Sequence, residues 1–347
     1  MKKKLLILAF ALTGTLLFSQ SQPMAFEYFK TTDGSQNFFY KNITKTDGLG
    51  NVYVAGATTT SNGTTDILLA KKNSAGVTLW TRQYNGTANF HDFATGMIIS
   101  VAGDVYITGA VSNNTTTLTQ DLIVIKYNSA GTQQWAQTYN GTANGNDSGK
   151  ELIIDGNGDL YVTGGTYNTS GNYDFLTIKY NSSGTQLWVN TYNYTSGLDD
   201  VGYKLAVKGT TIVYVSGGVT QSANNYKYNT ISLSATTGSL TGVTTSTATS
   251  TTTVDIVSDF VTDATGNIYL TGAVNVVGQG ANFYIVKMNS TLGILWTYTF
   301  NGSSNLDDIA KGIDIDASSN VYVTSYSTSS TQGRNITTVK LNSSGAQ

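Results

Sequence analysis

Cysteine is absent from this 347-residue chain, and proline and histidine occur once each. Without cysteine there is no disulfide, no thiolate metal site, no thiol nucleophile and no lipid-modified cysteine behind a leader. Such a chain, once exported, is held by packing alone. Charge is sparse as well: 12% of residues are charged and the formal net charge is −2, so no basic field exists to gather nucleic acid or anionic lipid. Neither is an expected partner.

Long apolar runs are also missing, with one exception. Residues 1–20, MKKKLLILAFALTGTLLFSQ, set Lys2, Lys3 and Lys4 ahead of an apolar stretch from Leu5 to Phe18 and then turn polar. This is the form of a secretory signal peptide, too short and too one-sided for an anchor. It predicts an exported protein, extracellular or on the surface of a Gram-negative bacterium, with residues 21–347 as the working domain. Nothing after it is apolar for long enough to span a bilayer.

What is abundant points to strands. The chain has 37 Gly and 22 Tyr, with frequent Thr, Ser and Asn, which favours strands and tight turns over helices. A single core rarely grows to this length, so the chain should divide or repeat a unit sideways. It repeats. GNVYVAG, GDVYITG, GDLYVTG, TIVYVSG, GNIYLTG and SNVYVTS place Tyr53, Tyr106, Tyr161, Tyr214, Tyr269 and Tyr322 at spacings that alternate between 53 and 55. Trp80, Trp135, Trp188 and Trp296 form a second series, and Asp92, Asp147, Asp200, Asp255 and Asp308 a third. From Trp to Asp is always 12 residues and from Asp to Tyr always 14, so length variation is expected only in the connection after VYVxG.

Each unit holds four short strand candidates, in the second unit TGMIIS, DVYITGAV, LIVIKYN and QWAQTY. DGLGN, DGNGD and DATGN read as tight turns from first to second strand, and NSAGT and NSSGT as turns from third to fourth. Four antiparallel strands repeated at this period are the pattern of propeller blades. The expected fold is an all-β β-propeller of four-stranded blades with six visible repeats. VYV and LIVI are almost continuously apolar because neighbouring blades cover both faces. The six tyrosines should form inter-blade layers, each contributing roughly 1.5–3 kcal/mol when buried. Trp135 and Tyr139, and their counterparts, share a strand face and are expected to cover the outer edge of their own sheet. Val243, at the Trp position of the fourth unit in the Thr-rich TGVTTSTATSTTT, predicts a weaker or less regular outer strand there.

The motifs GNVYVAG, DATGNIYLTG and N-S-x-G-x-x-x-W resemble the SBBP beta-propeller repeats of secreted bacterial proteins, over about residues 25–347. That resemblance implies the architecture and no particular activity. The Trp-bearing turns also resemble the blade-locking motifs of quinoprotein dehydrogenases. Only the packing role carries over, because the metal and quinone pocket has no counterpart in the sequence.

The last unit stops at Gln347, two positions before its Trp would fall. Two closures stay open. AFEYFKT, residues 25–31, completes the last blade of a six-bladed ring, or the chain is a fragment whose continuation supplies the Trp strand and a seventh blade.

In an antiparallel blade the first-to-second and third-to-fourth turns leave on one face and the other connections on the opposite face. The second set varies, and binding residues concentrate on loops that a rigid scaffold leaves free to change. The face carrying YNGTANFHD, YNGTANGND, YNYTSGLDD and FNGSSNLDD is therefore the expected binding face, with His91, Asp92, Asp147, Asp200, Asp255 and Asp308 as its candidates. The aspartates could hold a cation through oxygen ligands, or accept backbone N–H bonds that fix the turn into the first strand. Recurrence in nearly every unit favours the second reading, and Phe39 breaks the series in the first unit. DGNGD lacks the closing Glu of a calcium loop and reads as a hairpin. Lys71, Lys126, Lys179, Lys287 and Lys340 are expected to snorkel or form partly exposed ion pairs. His91 beside Asp92 makes no triad, and no nucleophile elbow is present. No catalytic residue, metal or cofactor is assigned.

Two functions follow. The first is an exported, non-catalytic scaffold whose polar loop face serves binding or adhesion to a surface glycan or protein. The alternative is a polysaccharide-active enzyme using Asp199 with Asp200, or Asp307 with Asp308, at the channel mouth. Adjacent carboxylates on a strand point apart, which counts against the enzyme.

Overall fold

The turns explain why this sequence makes short strands. In the computed structural model, Asp47 Oδ1 accepts the backbone N–H groups of Leu49 and Asn51 at 3.0 and 2.9 Å, and Gly50 takes a φ of 76°. A residue without Cβ adopts that conformation at no steric cost. Asp155, Asp263 and Asp316 build the same turn, so the DGNGD resemblance to a calcium loop resolves as hairpin chemistry.

The structure describes residues 38–347 except 114, 117–118, 196, 223–224, 246–254 and 277. The leader and the AFEYFKT segment lie outside the described residues. The described residues form six antiparallel sheets in simple meander order, five with four strands and the last with three. Among the described residues every regular element is a strand, and none forms a helix long and apolar enough to cross a membrane. The first strand of each sheet packs on the first three strands of the sheet before it, as Asp147–Ile154 of the third sheet does on the second. Middle strands are accordingly covered on both faces, and Val105–Ser112 is buried throughout.

The seams between sheets repeat one set of contacts. Trp80 Nε1 donates to the Ser129 carbonyl in the N-S-A-G turn of the next sheet at 3.3 Å, and Lys71 Nζ donates to the same oxygen at 3.4 Å. Lys71 also lies 4.9 Å from the centre of the Tyr53 ring and 3.9 Å from Asp47. Trp135 with Lys126 repeats this on Ser182, Trp188 with Lys179 on Ala235, and Trp296 with Lys287 on Ser343. Each indole covers a positive-φ glycine of that turn: Gly131, Gly184, Gly238 or Gly345. The tryptophans therefore lock one sheet to the next instead of merely covering their own edge. The lysines do more than snorkel. Lys71, Lys179 and Lys287 are buried in the seam, where a cation over an aromatic face gains on the order of 1–2 kcal/mol.

The fourth seam inverts the arrangement. Its third-to-fourth turn is one residue longer than the others, closing from Ser234 to Ser239, so the register sets Gly242 opposite Ser232, where Trp80 stands opposite Lys71. Val243 is thus not the Trp counterpart, and it is 42% exposed. On the far side, Leu292 replaces glycine at a φ of 66° and is buried. A Cβ on Gly242 would lie 3.5 Å from its side chain. Bulk and gap have exchanged sides. Tyr214, with Ser232 beside it instead of a lysine, donates its own hydroxyl to the Ser290 carbonyl at 2.9 Å. The outer strand survives as Leu240–Thr245.

Five of the six repeat tyrosines are buried as expected, and the sixth is not. Tyr53, Tyr161, Tyr214 and Tyr269 are fully buried and Tyr106 nearly so, but Tyr322 is 36% exposed. No following sheet covers its flank among the described residues, and Ile336 on the neighbouring strand stands open. At the other end, Gly76 is exposed with open space over it, where its counterparts lie under an indole.

Candidate functional site

The aspartates singled out by the repeat are buried within turns. Asp92 Oδ2 accepts the Gly86 N–H and its Oδ1 the Ser112 N–H at 2.8 Å. Asp147 accepts from Gly141 N, Tyr167 N and Thr166 Oγ1 at 2.7, 3.0 and 2.6 Å. Asp200 accepts from Tyr194 N and Thr220 N, and Asp308 from Gly302 N and Thr328 N. Asp255 accepts from Asn275 N and pairs with Lys227 at 3.8 Å. Asp92, Asp147, Asp200 and Asp308 have no exposed surface. They tie the loop six residues upstream to the end of the second strand, the backbone-binding role that recurrence favoured over a ring of cation ligands. Burial pushes Asp92 and Asp200 up to about 6, against the pull of their N–H donors.

The residues before Asp147, Asp200 and Asp308 stitch neighbouring sheets. Asn146 Oδ1 accepts the Gln120 N–H at 2.9 Å, Asp199 Oδ1 that of Tyr173 at 2.9 Å and Asp307 Oδ1 that of Ala281 at 3.0 Å. His91 holds the same place in its unit, with Nδ1 3.3 Å from Thr65 Oγ1. Its carbonyl accepts Ser112 Oγ and Gln120 Nε2, each at 3.0 Å. The candidate acids Asp199 and Asp307 are therefore occupied in backbone recognition.

One open cavity on the loop face, of about 310 Å³, spans the second, third and fourth sheets. Phe93, Gln120 and Asn146 line one side, Lys150 and Tyr173 the middle, and Val201 and Tyr203 the other side. Of the sequence candidates only Asp147 contributes to the lining, and His91 supports it from behind through Gln120. Tyr173 packs edge-on against Tyr167 at 5.3 Å. Gly165 makes room, since a Cβ there would crowd Val201 and Tyr173 at 3.3 and 3.4 Å.

Lys150 and Tyr203 come from the innermost strands, at the same step of the repeat as Thr95, Ser258 and Lys311. Burial holds the Lys150 ammonium below its usual range, and no carboxylate reaches it among the described residues. One step further along, Lys204 bridges Glu151 at 3.2 Å and Asp259 at 3.4 Å, stitching three successive innermost strands. Burial opposes the charge on Lys204, but its two carboxylates more than offset this and raise it.

The signal that could have revealed this pocket is departure from the repeat. TGA or AGA stands at the end of the second strand in units one, two and five, whereas units three and four read TGG and SGG.

Comparison with solved structures shows the same architecture. A protein of unknown function from Dyadobacter fermentans DSM 18053 superposes with a TM-score of 0.50 at 7% identity, over 89% of this chain and 98% of that one. Quinohemoprotein alcohol dehydrogenase from Comamonas testosteroni gives 0.50 at 12% identity, over 80% of this chain and 56% of that one. Polysaccharide lyase Uly1 gives 0.49 at 11% identity, over 95% and 86%. At such identities the likeness defines the fold, a β-propeller. No protein-family model and no curated protein sequence matches the chain.

Proposed function

We propose that this is an exported, non-catalytic propeller of the SBBP repeat type that binds a surface saccharide or protein loop through the cavity between its second, third and fourth sheets. The observation that carries the reading is the concentration of departures from the repeat, at Gly165, Tyr203 and Gly218, around one cavity on the variable-loop face that Lys150 also lines. Its volume of about 310 Å³ falls in the range of small-ligand sites, on the order of 300–1,000 Å³. Catalysis by paired acids is less well supported, because hydrolysis of a glycosidic bond needs two carboxyl groups facing the sugar and the lining holds only Asp147.

The test is a binding screen of the intact protein on glycan and surface-protein arrays, run beside Tyr203→Ala and Gln120→Ala variants. Ligands retained by the parent and lost by both variants are the expected result. Turnover of a polysaccharide by the parent, abolished by Asp147→Asn in a variant that still folds, would overturn it.

A further inference from the structure

Resting on the loop-face reading above, we infer that the ligand of this cavity is an acidic saccharide of the hexuronate class, its carboxylate on Lys150 and its ring on Tyr203. Lys150 is a partly buried cation without a counter-ion among the described residues, whereas Lys204, on the adjoining innermost strand, holds two. An unpaired charge taken partly out of water costs free energy in the empty protein, and a bound anion offsets that cost. The same reasoning makes a neutral ligand the poorer fit, since it would complete the desolvation of the ammonium without pairing it.

Tyr203 is 41% exposed although it lies on an innermost strand. A large ring held open there offers an apolar face with a polar tip, the surface on which the C–H face of a sugar ring packs. Gln120 and Asn146 add amide groups suited to hydroxyls. Asp147 is the one carboxylate in the lining, but it is fully buried and its oxygens are taken by two backbone N–H groups and the Thr166 hydroxyl. Those donors offset its charge in place, and the free cation beside it decides the sign of the ligand.

The experiment is titration calorimetry of the full chain with tetragalacturonate and with uncharged cellotetraose, for the parent, Lys150→Met and Tyr203→Ala. Tetragalacturonate is expected to bind the parent in preference to cellotetraose, by at least about tenfold, the size of one charge-assisted contact. Lys150→Met should abolish that preference while melting at the parent's temperature, and Tyr203→Ala should weaken both sugars. If cellotetraose binds as well as the acid and Lys150→Met changes nothing, the acidic class is wrong and the cavity still binds sugar. If neither sugar binds, the inference fails, and the array screen separately decides whether the cavity binds anything else.

Discussion

A Cβ added to Gly238 would lie 2.7 Å from the indole of Trp188, in the sheet before it. Gly238 also sits at a φ of 72°. Gly238→Ala therefore combines backbone strain of about 1–2 kcal/mol with displacement of a packed ring, costing about 1–3 kcal/mol more. Gly76 has a φ of 81° but open space above it, so Gly76→Ala should lose only the strain. Urea unfolding of the two variants measures the difference, and equal losses would refute indole docking as the lock between sheets.

The inverted fourth seam can be turned back. Gly242→Trp alone should clash with Leu292, and Leu292→Gly alone should open a cavity, at about 2–4 kcal/mol less the strain relieved at its positive φ. Together they rebuild the pattern of the other seams. The double variant should be more stable than the sum of the two losses by at least about 1 kcal/mol. Additive losses would mean that the two positions are not facing each other.

Stability should depend on pH with a maximum on the acid side of neutrality. Asp92 and Asp200 are raised to about 6 by burial, from an ordinary 3.8. Between these values the folded chain takes up protons that the unfolded chain does not, so stability rises as pH falls through that window. Asp263 is lowered to about 2, where hydrogen bonds from Thr265, Asn267 and Tyr269 outweigh its burial, and Asp47 is lowered in the same way. Their contribution is present above the ordinary value and is lost as pH falls below about 4. Melting temperatures across the range should show the rise and then the fall, and Asn at positions 92 and 200 should flatten only the rise.

Removing the two innermost-strand lysines should have unlike effects. Lys204→Met leaves Glu151 and Asp259 without their shared cation, and these side chains are 30% and 32% exposed. Solvent screening limits the loss to about 1 kcal/mol, shrinking with salt. Lys150→Met removes a desolvated charge with no partner and should leave the melting temperature unchanged or higher. A large loss at Lys150 would reveal a structural role and undercut it as a ligand contact.

The repeat tyrosines, the turn aspartates and the meander order were all legible from spacing, because each is a local or nearest-neighbour consequence of one unit copied along the chain. Trp188 was legible as a packing residue, but its partner was not, since Ala235 and Gly238 lie in the next copy. The Val243 assignment failed for a related reason: one extra turn residue shifted the register and passed the seam to Gly242 and Leu292. His91 and the aspartates drew attention by type or recurrence. The cavity is instead lined by Tyr203, which stands out only by differing from its counterparts, and by Lys150, which recurs as Lys311 and is set apart only by what the fold places around it.

Strand, turn and repeat were settled by the sequence itself, since alternation, glycine at positive φ and aspartate-capped hairpins act within a few residues. Which side of a seam carries the bulk, which lysine goes without a carboxylate and which tyrosine stays open were decided only in the assembled sheets. Those properties belong to pairs of side chains some fifty residues apart, and burial and charge acquire their free energy from what the neighbouring sheet places against them.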